Sequence, residues 1–281
     1  MAAVDDLSLA IVQAATPYGG HRVLALAAEI ALAQQFGVSR REVEEAALLA
    51  GVVPLRYLRN IGTIGLEGQL ALLRAAVAVV GLGGLGGYVV EGLARVGVGR
   101  LIVVDGDRFE EHNLNRQLLS LEAVLGRPKA EVAKERVLLV NGAVSVEAHF
   151  CRLDEENGPA ILGDAAVVVD ALDNLPDRLR LQTLAARLGK PLVHGAIAGF
   201  LGQVTTIFPG APGLAALYGE NPALERGMEE LLGTPPATPM LVAALEVQET
   251  VKLITGKGRP LSNALLLLDT ESGEAHRLQL L

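Results

Sequence analysis

Val77-Ala-Val-Val-Gly-Leu-Gly-Gly-Leu-Gly-Gly87 is the stretch that decides the fold. Residues 77–80 are a short apolar, β-branched run, which is typical of a strand buried on both faces. Four glycines follow it, and the residues beyond them have helical spacing: Gly81, Gly83, Gly84 and Gly86. In a strand–glycine turn–helix unit the N–H groups of the first helical turn face a bound phosphate. The sequence therefore predicts a nucleotide site here.

The remaining pattern predicts an α/β fold with a Rossmann-like, mostly parallel sheet and helices on both faces. A second strand over 101–104 ends at Asp105, where an acidic residue is expected to meet ribose hydroxyls. Strand and helix patterns then alternate as far as a last helix over 240–255. A hairpin through 265–269 and 274–278 closes the chain and predicts an antiparallel C-terminal extension.

The first part of the chain predicts a separate helical unit. Residues 1–53 are expected to form an N-terminal helical appendage, and residues 54–281 a nucleotide-binding domain. Alanine and leucine recur at helical spacing from Gly20 to Phe36, and Ser39-Arg-Arg-Glu42 is a capping box that opens the next helix. No chemistry is evident in this segment.

Composition limits the classes of function. The chain has 281 residues, a net charge of −8 and no tryptophan. This composition disfavours a nucleic-acid surface, because such a surface needs basic clusters for the phosphates and aromatic side chains on which bases stack. No apolar run reaches membrane-spanning length, and the N-terminus lacks a basic signal-peptide region, so a cytoplasmic protein is expected. The single cysteine, Cys151, excludes a Cys₄ zinc site and is expected to be a small buried residue.

A dense polar insert follows Asp105. Arg116 and Lys129 are the cations expected to face a triphosphate, and they lie near further polar residues: Asp107, Asn113 and Gln117. The alternative is a salt-bridged surface helix. A later strand, over 165–169, runs into Asp170-Ala-Leu-Asp173-Asn174, a position that suits a magnesium or ribose ligand. His194 ends the next strand without an evident partner, which favours a structural role.

These motifs together resemble the ThiF/MoeB/HesA family, bacterial relatives of ubiquitin-activating enzymes. The resemblance covers about 54–257 and rests on an ordered set: Arg56-Tyr-x-x-Arg59, Gly68-Gln69, Gly81-x-Gly-Gly-Leu-Gly86, Gly97-Val-Gly, Asp105-x-Asp107, Asn113-Leu-Asn-Arg-Gln117, Lys129 and Asp173-Asn174. It implies ATP- and Mg²⁺-dependent adenylation of the C-terminal Gly-Gly carboxylate of a ubiquitin-like sulfur-carrier protein, as in molybdopterin or thiamine biosynthesis. Acyl-adenylate and pyrophosphate are the products.

The resemblance also implies a role for each matching residue. The Gly81–Gly86 loop would cradle phosphate, Asp105 would hold the ribose, and Asp173 would bind Mg²⁺. Asn113, Arg116 and Lys129 would contact phosphates, with Asp107, Gln117 and Asn174 beside them in the nucleotide site. Arg59 would reach the γ-phosphate of the neighbouring subunit in a homodimer.

The chain departs from the family in two places. It has no Cys-x-x-Cys pair for zinc, and the segment 233–239 before the last helix lacks the thiol that many members use for transfer. We therefore expect the reaction to stop at the adenylate. Three alternatives stay open: adenylation of a small-molecule or tRNA-borne carboxylate, a non-catalytic nucleotide-binding scaffold, and an NAD-dependent oxidoreductase. The last leaves Arg116 and Lys129 unexplained.

Overall fold

The computed structural model describes residues 2–219 and 231–280. The helices are α1 Ala2–Ala14, α2 Leu26–Phe36, α3 Arg40–Leu49, α4 Leu58–Arg74, α5 Gly86–Val96, α6 Lys129–Val140, α7 Gly158–Leu162, α8 Leu175–Arg187, α9 Ala215–Tyr218 and α10 Ala237–Thr255. The strands are β1 Thr16–Tyr18, β2 His21–Leu24, β3 Val52–Pro54, β4 Ala76–Val80, β5 Arg100–Val104, β6 Ser145–His149, β7 Val167–Asp170, β8 Leu192–Ala198, β9 Leu201–Ile207, β10 Ala264–Asp269 and β11 Glu274–Gln279.

Across the described residues, eight strands form the main sheet, in the order β11-β10-β9-β8-β7-β4-β5-β6. The pairs from β6 to β8 are parallel, whereas β8, β9, β10 and β11 pair antiparallel. The predicted Rossmann-like sheet with an antiparallel extension is therefore confirmed. The chain moves outward from β4 in one direction and from β7 in the other, so a crevice forms where the loops after these two strands diverge.

The central strands are buried on both faces, as their apolar run predicts. In β4, Val77 and Val79 belong to one hydrophobic core, while Ala78 and Val80 belong to the other. The first core includes residues of α5, α6 and α10, and the second includes residues of α7 and α8. Because side chains alternate across a strand, one β-branched run fills both layers and fixes the sheet between them.

The N-terminal segment is not wholly helical, which corrects the prediction for Gly20–Phe36. Helix α2 begins only at Leu26, and the residues before it form β2, which pairs with β1 and β3. Val23 lies opposite Val53 in the parallel pair of β2 and β3, and a partner this distant in sequence overrides local helical spacing. The capping box at Ser39 and Glu42 is present as predicted.

This segment has a hydrophobic core of its own, formed by α1, α2, α3 and the strands beside them. Strand β3 covers 52–54 and so crosses the predicted domain boundary between residues 53 and 54. It continues directly into a 3₁₀ helix, Leu55–Tyr57, and then into α4. The division into 1–53 and 54–281 stays a prediction.

Candidate functional site

The turn after β4 needs glycine at its two ends. Gly81 has φ +90°, and a Cβ there would lie 2.5 Å from the carbonyl oxygen of Ala171. A Cβ on Gly86 would lie 1.9 Å from the carbonyl oxygen of Gly81. Any larger residue would separate α5 from β4, because neither contact involves a flexible side chain. These two glycines close the turn, while Gly83 and Gly84 line the cavity in front of it.

Asp105 lies at the end of β5, beside this turn. Its Oδ2 accepts a hydrogen bond from Leu82 N–H at 2.7 Å, and its Oδ1 accepts one from Asp107 N–H at 2.7 Å. Burial raises the pKa of Asp105, although Lys129 and the two N–H groups act in the opposite direction. The carboxylate is thereby held in one orientation at the cavity wall, with lone pairs left for hydroxyl donors.

Two cations line the same cavity. Lys129 is the first residue of α6, its side chain is 8% exposed, and its Nζ lies 3.1 Å from Asp107 Oδ2. Arg116 donates through Nη1 to the carbonyl oxygen of His112 and to Asn115 Oδ1. Burial lowers the pKa of Arg116, and the nearby Asp173 carboxylate partly offsets this effect. A buried ammonium and a half-buried guanidinium in one cavity are groups that suit an anionic ligand.

The loop after β7 places a carboxylate opposite these cations. Asp173 is exposed and lines the cavity, and Asn174 caps α8 by accepting from Asp177 N–H at 2.9 Å. The loop is held from two sides. Leu172 N–H donates to Asp170 Oδ1 at 3.1 Å, and Arg178 Nη2 donates to the Leu172 carbonyl oxygen at 2.6 Å. Asp173 therefore projects from a braced turn.

These groups surround one cavity of about 430 Å³ at the predicted crevice. Ten of the predicted site residues line it: Gly81, Gly83, Gly84, Asp105, Asp107, Arg116, Gln117, Lys129, Asp173 and Asn174. Apolar side chains also contribute to the lining, among them Val104, Leu153, Leu181 and Leu184. A cavity of this size with both charged and apolar lining suits a nucleotide.

Three predicted residues do not line the cavity. Gly86 lies behind the turn that it closes. Asn113 is 3% exposed, and its Oδ1 accepts from Glu110 N–H at 3.0 Å, so its amide stabilises the polar insert. Arg59 lies on the exposed surface at the start of α4. Of the three, only Arg59 is free to meet a ligand, and it would do so outside this cavity.

A buried polar chain behind the site is one feature that sequence reasoning missed. The sequence predicts no partner for His194, but its Nδ1 lies 2.8 Å from Asp170 Oδ2, and both side chains are fully buried. On the other side of the ring, His194 Nε2 lies 3.3 Å from Gln203 Nε2, and Gln203 Nε2 also donates to Tyr218 Oη. Asp170 is therefore used internally and is not the ligand that its strand-end position suggested. Burial lowers the pKa of His194 even beside this carboxylate.

Cys151 lies at the cavity and is half-buried, whereas the sequence predicted a buried residue. Burial and, to a smaller extent, Asp154 raise the pKa of its thiol, which disfavours a nucleophilic thiolate.

Glu246 of α10 is a buried carboxyl group that no sequence pattern indicated. It is fully buried, and neither carboxyl oxygen has a partner within the described residues. Burial, with Asp170 nearby, raises the pKa of Glu246 well above its usual range.

Residues 2–219 and 231–280 contain neither a preformed metal cluster nor a membrane-spanning helix. No group of three or more His, Cys, Asp or Glu side chains in these ranges is placed to hold a metal ion. None of the helices described there is both long and apolar enough to cross a membrane. Residues 220–230 lie outside the described residues, and Thr234, which follows them, lines the cavity.

Residues 57–280 match the ThiF family. The chain belongs to the ThiF family. It is 41% identical to the SAMP-activating enzyme E1 of Haloferax volcanii over 220 residues, which are 76% of this chain and 80% of that protein. It is 40% identical to the sulfur carrier protein adenylyltransferase of Thermus thermophilus over 237 residues, 79% of this chain and 86% of that one.

A solved structure of E. coli MccB with ATP shares the fold. It covers 90% of this chain and 82% of its own, with a TM-score of 0.65 and 21% identity. At this identity the likeness concerns the fold alone. The resemblance inferred from the ordered motifs is thus confirmed as family membership.

Proposed function

We propose that this chain is an ATP-dependent adenylyltransferase that activates the C-terminal Gly-Gly carboxylate of a ubiquitin-like sulfur-carrier protein. One observation carries the proposal: a single cavity brings together Asp105, Lys129, Arg116 and Asp173 in front of the glycine turn. A nicotinamide dinucleotide would leave the cations and Asp173 without a role. The names of the two relatives, an activating enzyme and a sulfur carrier protein adenylyltransferase, support the same chemistry.

The cavity suits ATP in a defined orientation. Asp105 would accept from ribose hydroxyls, and the apolar side chains of Leu181 and Leu184 would contact the base. The phosphates would then face Lys129 and Arg116. Gln117 also lines the cavity, and its Oε1 is buried without a hydrogen-bond partner among the described residues. Such an acceptor normally finds a donor, and a hydroxyl or amino group of the nucleotide can supply one.

Asp173 fits a magnesium ion that arrives with the nucleotide. Mg²⁺ prefers oxygen ligands, and nucleotide sites hold it through one or two carboxylates together with substrate phosphates. The carboxylate of Asp173 is exposed, and the only hydrogen bond it accepts within the described residues is a 3.4 Å contact from Asn174 Nδ2. The ion would supply positive charge against the phosphate oxygens.

The reaction needs positioning and charge neutralisation more than acid–base catalysis. The carrier carboxylate is already ionised, so it can attack the α-phosphate without a general base; a new acyl–phosphate bond forms as the bond to pyrophosphate breaks. Lys129 and Arg116 would stabilise the charge that collects on the phosphate oxygens. The braced turn at Leu172 and Arg178 would hold Asp173 at a constant distance from them.

We further propose that the working unit is a homodimer in which Arg59 acts on the neighbouring subunit's ATP. Arg59 is exposed and does not line its own cavity, and it has no ion pair within the described residues. An exposed arginine on one subunit can complete the nucleotide site of a second subunit related by a two-fold axis. Transfer of sulfur would then use an external donor, since residues 233–239 contain no thiol.

Pyrophosphate exchange into ATP tests the proposed reaction. With Mg²⁺, we expect exchange that requires a carrier protein ending in a free Gly-Gly carboxylate. The matched control is the same carrier with a C-terminal amide, which cannot attack and should give none. Exchange driven by small carboxylates without the carrier would favour the alternative substrate class. ATP binding without any exchange would favour a scaffold.

Ligand choice is tested independently by thermal shift. ATP with Mg²⁺ should raise the melting temperature, because a ligand that binds only the native state stabilises it. At a concentration 100 times its Kd, the gain is about 2.7 kcal/mol. NAD is the control ligand. Stabilisation by NAD and not by ATP would contradict the proposal.

A further inference from the structure

The arginine motif Arg56-Tyr57-Leu-Arg59 is anchored from inside the molecule. The chain passes through a 3₁₀ helix at 55–57 before α4 begins at Leu58. Arg59 is exposed, whereas Tyr57 two residues earlier is fully buried. The position of Arg59 thus depends on what holds Tyr57.

A closed ring of polar contacts holds it. Tyr57 Oη donates to Glu44 Oε2 at 3.0 Å, and Asn141 Nδ2 donates to Tyr57 Oη at 2.8 Å. Arg56 Nη1 donates to Asn141 Oδ1 at 2.5 Å. Arg56 Nε lies 3.6 Å from Glu44 Oε1, which completes the ring. Every member contacts two others, so the motif cannot shift without breaking several contacts at once.

The ring joins three separate parts of the chain. Glu44 comes from α3 of the N-terminal segment, Asn141 caps the C-terminus of α6, and the motif lies between them. From the other side, Gly97 gives Tyr57 room, since a Cβ there would lie 2.6 Å from Tyr57 Cε1. The tyrosine is therefore wedged between the N-terminal segment and the end of α5.

Burying the carboxyl group of Glu44 at this position costs free energy of desolvation. It is fully buried, and burial together with the neighbouring Glu29 raises its pKa to about 8. Its Oε1 has no hydrogen bond among the described residues. A buried ionisable group is weak support for stability, since apolar replacements of similar volume often stabilise a protein more. What this carboxyl provides is a directed acceptor for Tyr57.

We propose that the N-terminal segment positions Arg59 through Glu44, which makes Glu44 a positioning residue for the adenylation reaction. The inference rests on the proposed function for the role of Arg59. It assigns a task to a segment that lies before the family match at 57–280. Glu44 touches no substrate: it acts by fixing Tyr57, from which α4 and Arg59 follow.

Pyrophosphate exchange by four variants tests the coupling: Glu44→Ala, Tyr57→Phe, Arg59→Ala and the double variant Glu44→Ala/Arg59→Ala. Misplacing a reacting group by about 1 Å can cost roughly 100-fold, so we expect the first two to lose about 10- to 100-fold in kcat. The double variant should be no slower than Arg59→Ala alone, because Glu44 acts only through that arginine. A purely structural role would instead multiply the two losses.

Glu45→Ala is the matched control. Glu45 follows Glu44 on α3 and also links the N-terminal segment to α4, but through an exposed pair with Arg74 at 2.7 Å. It should exchange pyrophosphate at the wild-type rate. Wild-type kcat in both Glu44→Ala and Tyr57→Phe, or multiplied losses in the double variant, would overturn the inference. If Glu44→Ala fails to fold, Tyr57→Phe with its own Arg59→Ala double variant decides by the same two criteria.

Deuterium exchange separates this inference from the proposed function. Backbone amides at 55–64 should exchange at least tenfold faster in Glu44→Ala than in Glu45→Ala, because the start of α4 loses its anchor. Equal exchange in the two variants would contradict the anchoring whatever the activity. A wild-type chain without pyrophosphate exchange but with this difference would contradict the proposed function and leave the anchoring intact.

Discussion

At the scale of single residues, two charged side chains that line the cavity, Lys129 and Asp173, are held in different ways. Lys129 is buried against Asp107, whereas Asp173 projects into the cavity from an exposed turn. A lysine held in this way keeps its ammonium in place without ligand, so little reorganisation is needed when phosphate arrives. Asp173 relies on the rigid turn behind it and keeps its oxygens available.

Lys129→Ala should lower pyrophosphate exchange about 100-fold or more, the usual cost of removing one electrostatic contact to a transition state. Lys134→Ala is the matched control, since Lys134 lies on the same helix but is exposed and away from the cavity lining. The measurement is kcat/KM for ATP in both variants. Equal rates in Lys129→Ala and the wild type would remove Lys129 from the reaction.

Glu246 predicts a distinctive dependence of stability on pH. Its pKa is raised in the folded protein, so between about pH 5 and the folded pKa the native state retains a proton that the unfolded chain has released. The free energy of unfolding should therefore fall as pH rises, by up to about 1.4 kcal/mol per pH unit from this group.

Glu246→Gln removes that titration, so its stability should fall less with rising pH than that of the wild type. Urea unfolding of both proteins from about pH 5 to about pH 9 measures the difference in slope. Asp164→Asn, at an exposed pair with Arg100, is the control and should leave the slope unchanged. Parallel wild-type and Glu246→Gln curves would show that Glu246 is ionised in the folded protein.

At the scale of elements, the glycine turn joins β4 to α5 with no space for a side chain. A Cβ on Gly86 would contact the Gly81 carbonyl oxygen at 1.9 Å, which forces the helix away from the strand. Gly62, in the helical segment of α4 before its kink at Gly65, is exposed, and a Cβ added there would meet no atom within 4 Å. The same substitution at the two positions should therefore have opposite consequences.

Gly86→Ala should lower the melting temperature and abolish the stabilisation by ATP, because the phosphate turn cannot close. Gly62→Ala should be neutral or stabilising by up to about 1 kcal/mol, since alanine is the better helix former. Thermal melts with and without ATP and Mg²⁺ compare the two variants. Normal ATP stabilisation of Gly86→Ala would mean that the turn can rearrange and that its backbone is not needed for binding.

At the scale of the whole molecule, the chain has a cavity and an exposed arginine, Arg59, that does not line it. Arg59 and Asp173 therefore offer a complementation test of the shared-site homodimer. Arg59→Ala and Asp173→Ala should each be nearly inactive alone. In a mixed dimer, the Arg59→Ala subunit keeps its own Asp173 and receives an intact Arg59, so about half of the wild-type exchange should return.

The mixed dimer is obtained by co-expressing the two variants with different tags and purifying through both. The control is a dimer of wild-type and Asp173→Ala chains, which retains one complete site in either arrangement. If the mixed dimer of Arg59→Ala and Asp173→Ala chains gives no pyrophosphate exchange while the control dimer does, Arg59 acts in its own subunit's site and the shared-site homodimer is refuted.

Local pattern was sufficient for the main sheet and for most of the cavity lining, but it missed the strands of the N-terminal segment. The run at 77–80, the glycine turn and the acidic residue after β5 depend on neighbours within a few positions, so spacing alone reveals them. Parallel strands bring their carboxyl ends to one edge, which is why Asp105 and Asp173 could be expected in one crevice. The side chains that line the crevice follow from that topology.

Only the tertiary structure decided which polar groups are used internally. Asp170 and His194 lie on neighbouring strands 24 residues apart in sequence, and Asn141 reaches Tyr57 across 84 residues. Such pairings leave no trace in residue spacing, because they depend on how strands order and how helices cross. The sequence by itself therefore predicted a crevice suited to a nucleotide, because its residues follow the strand ends, whereas only the packing of α3 against the arginine motif reveals that Glu44 contacts Tyr57.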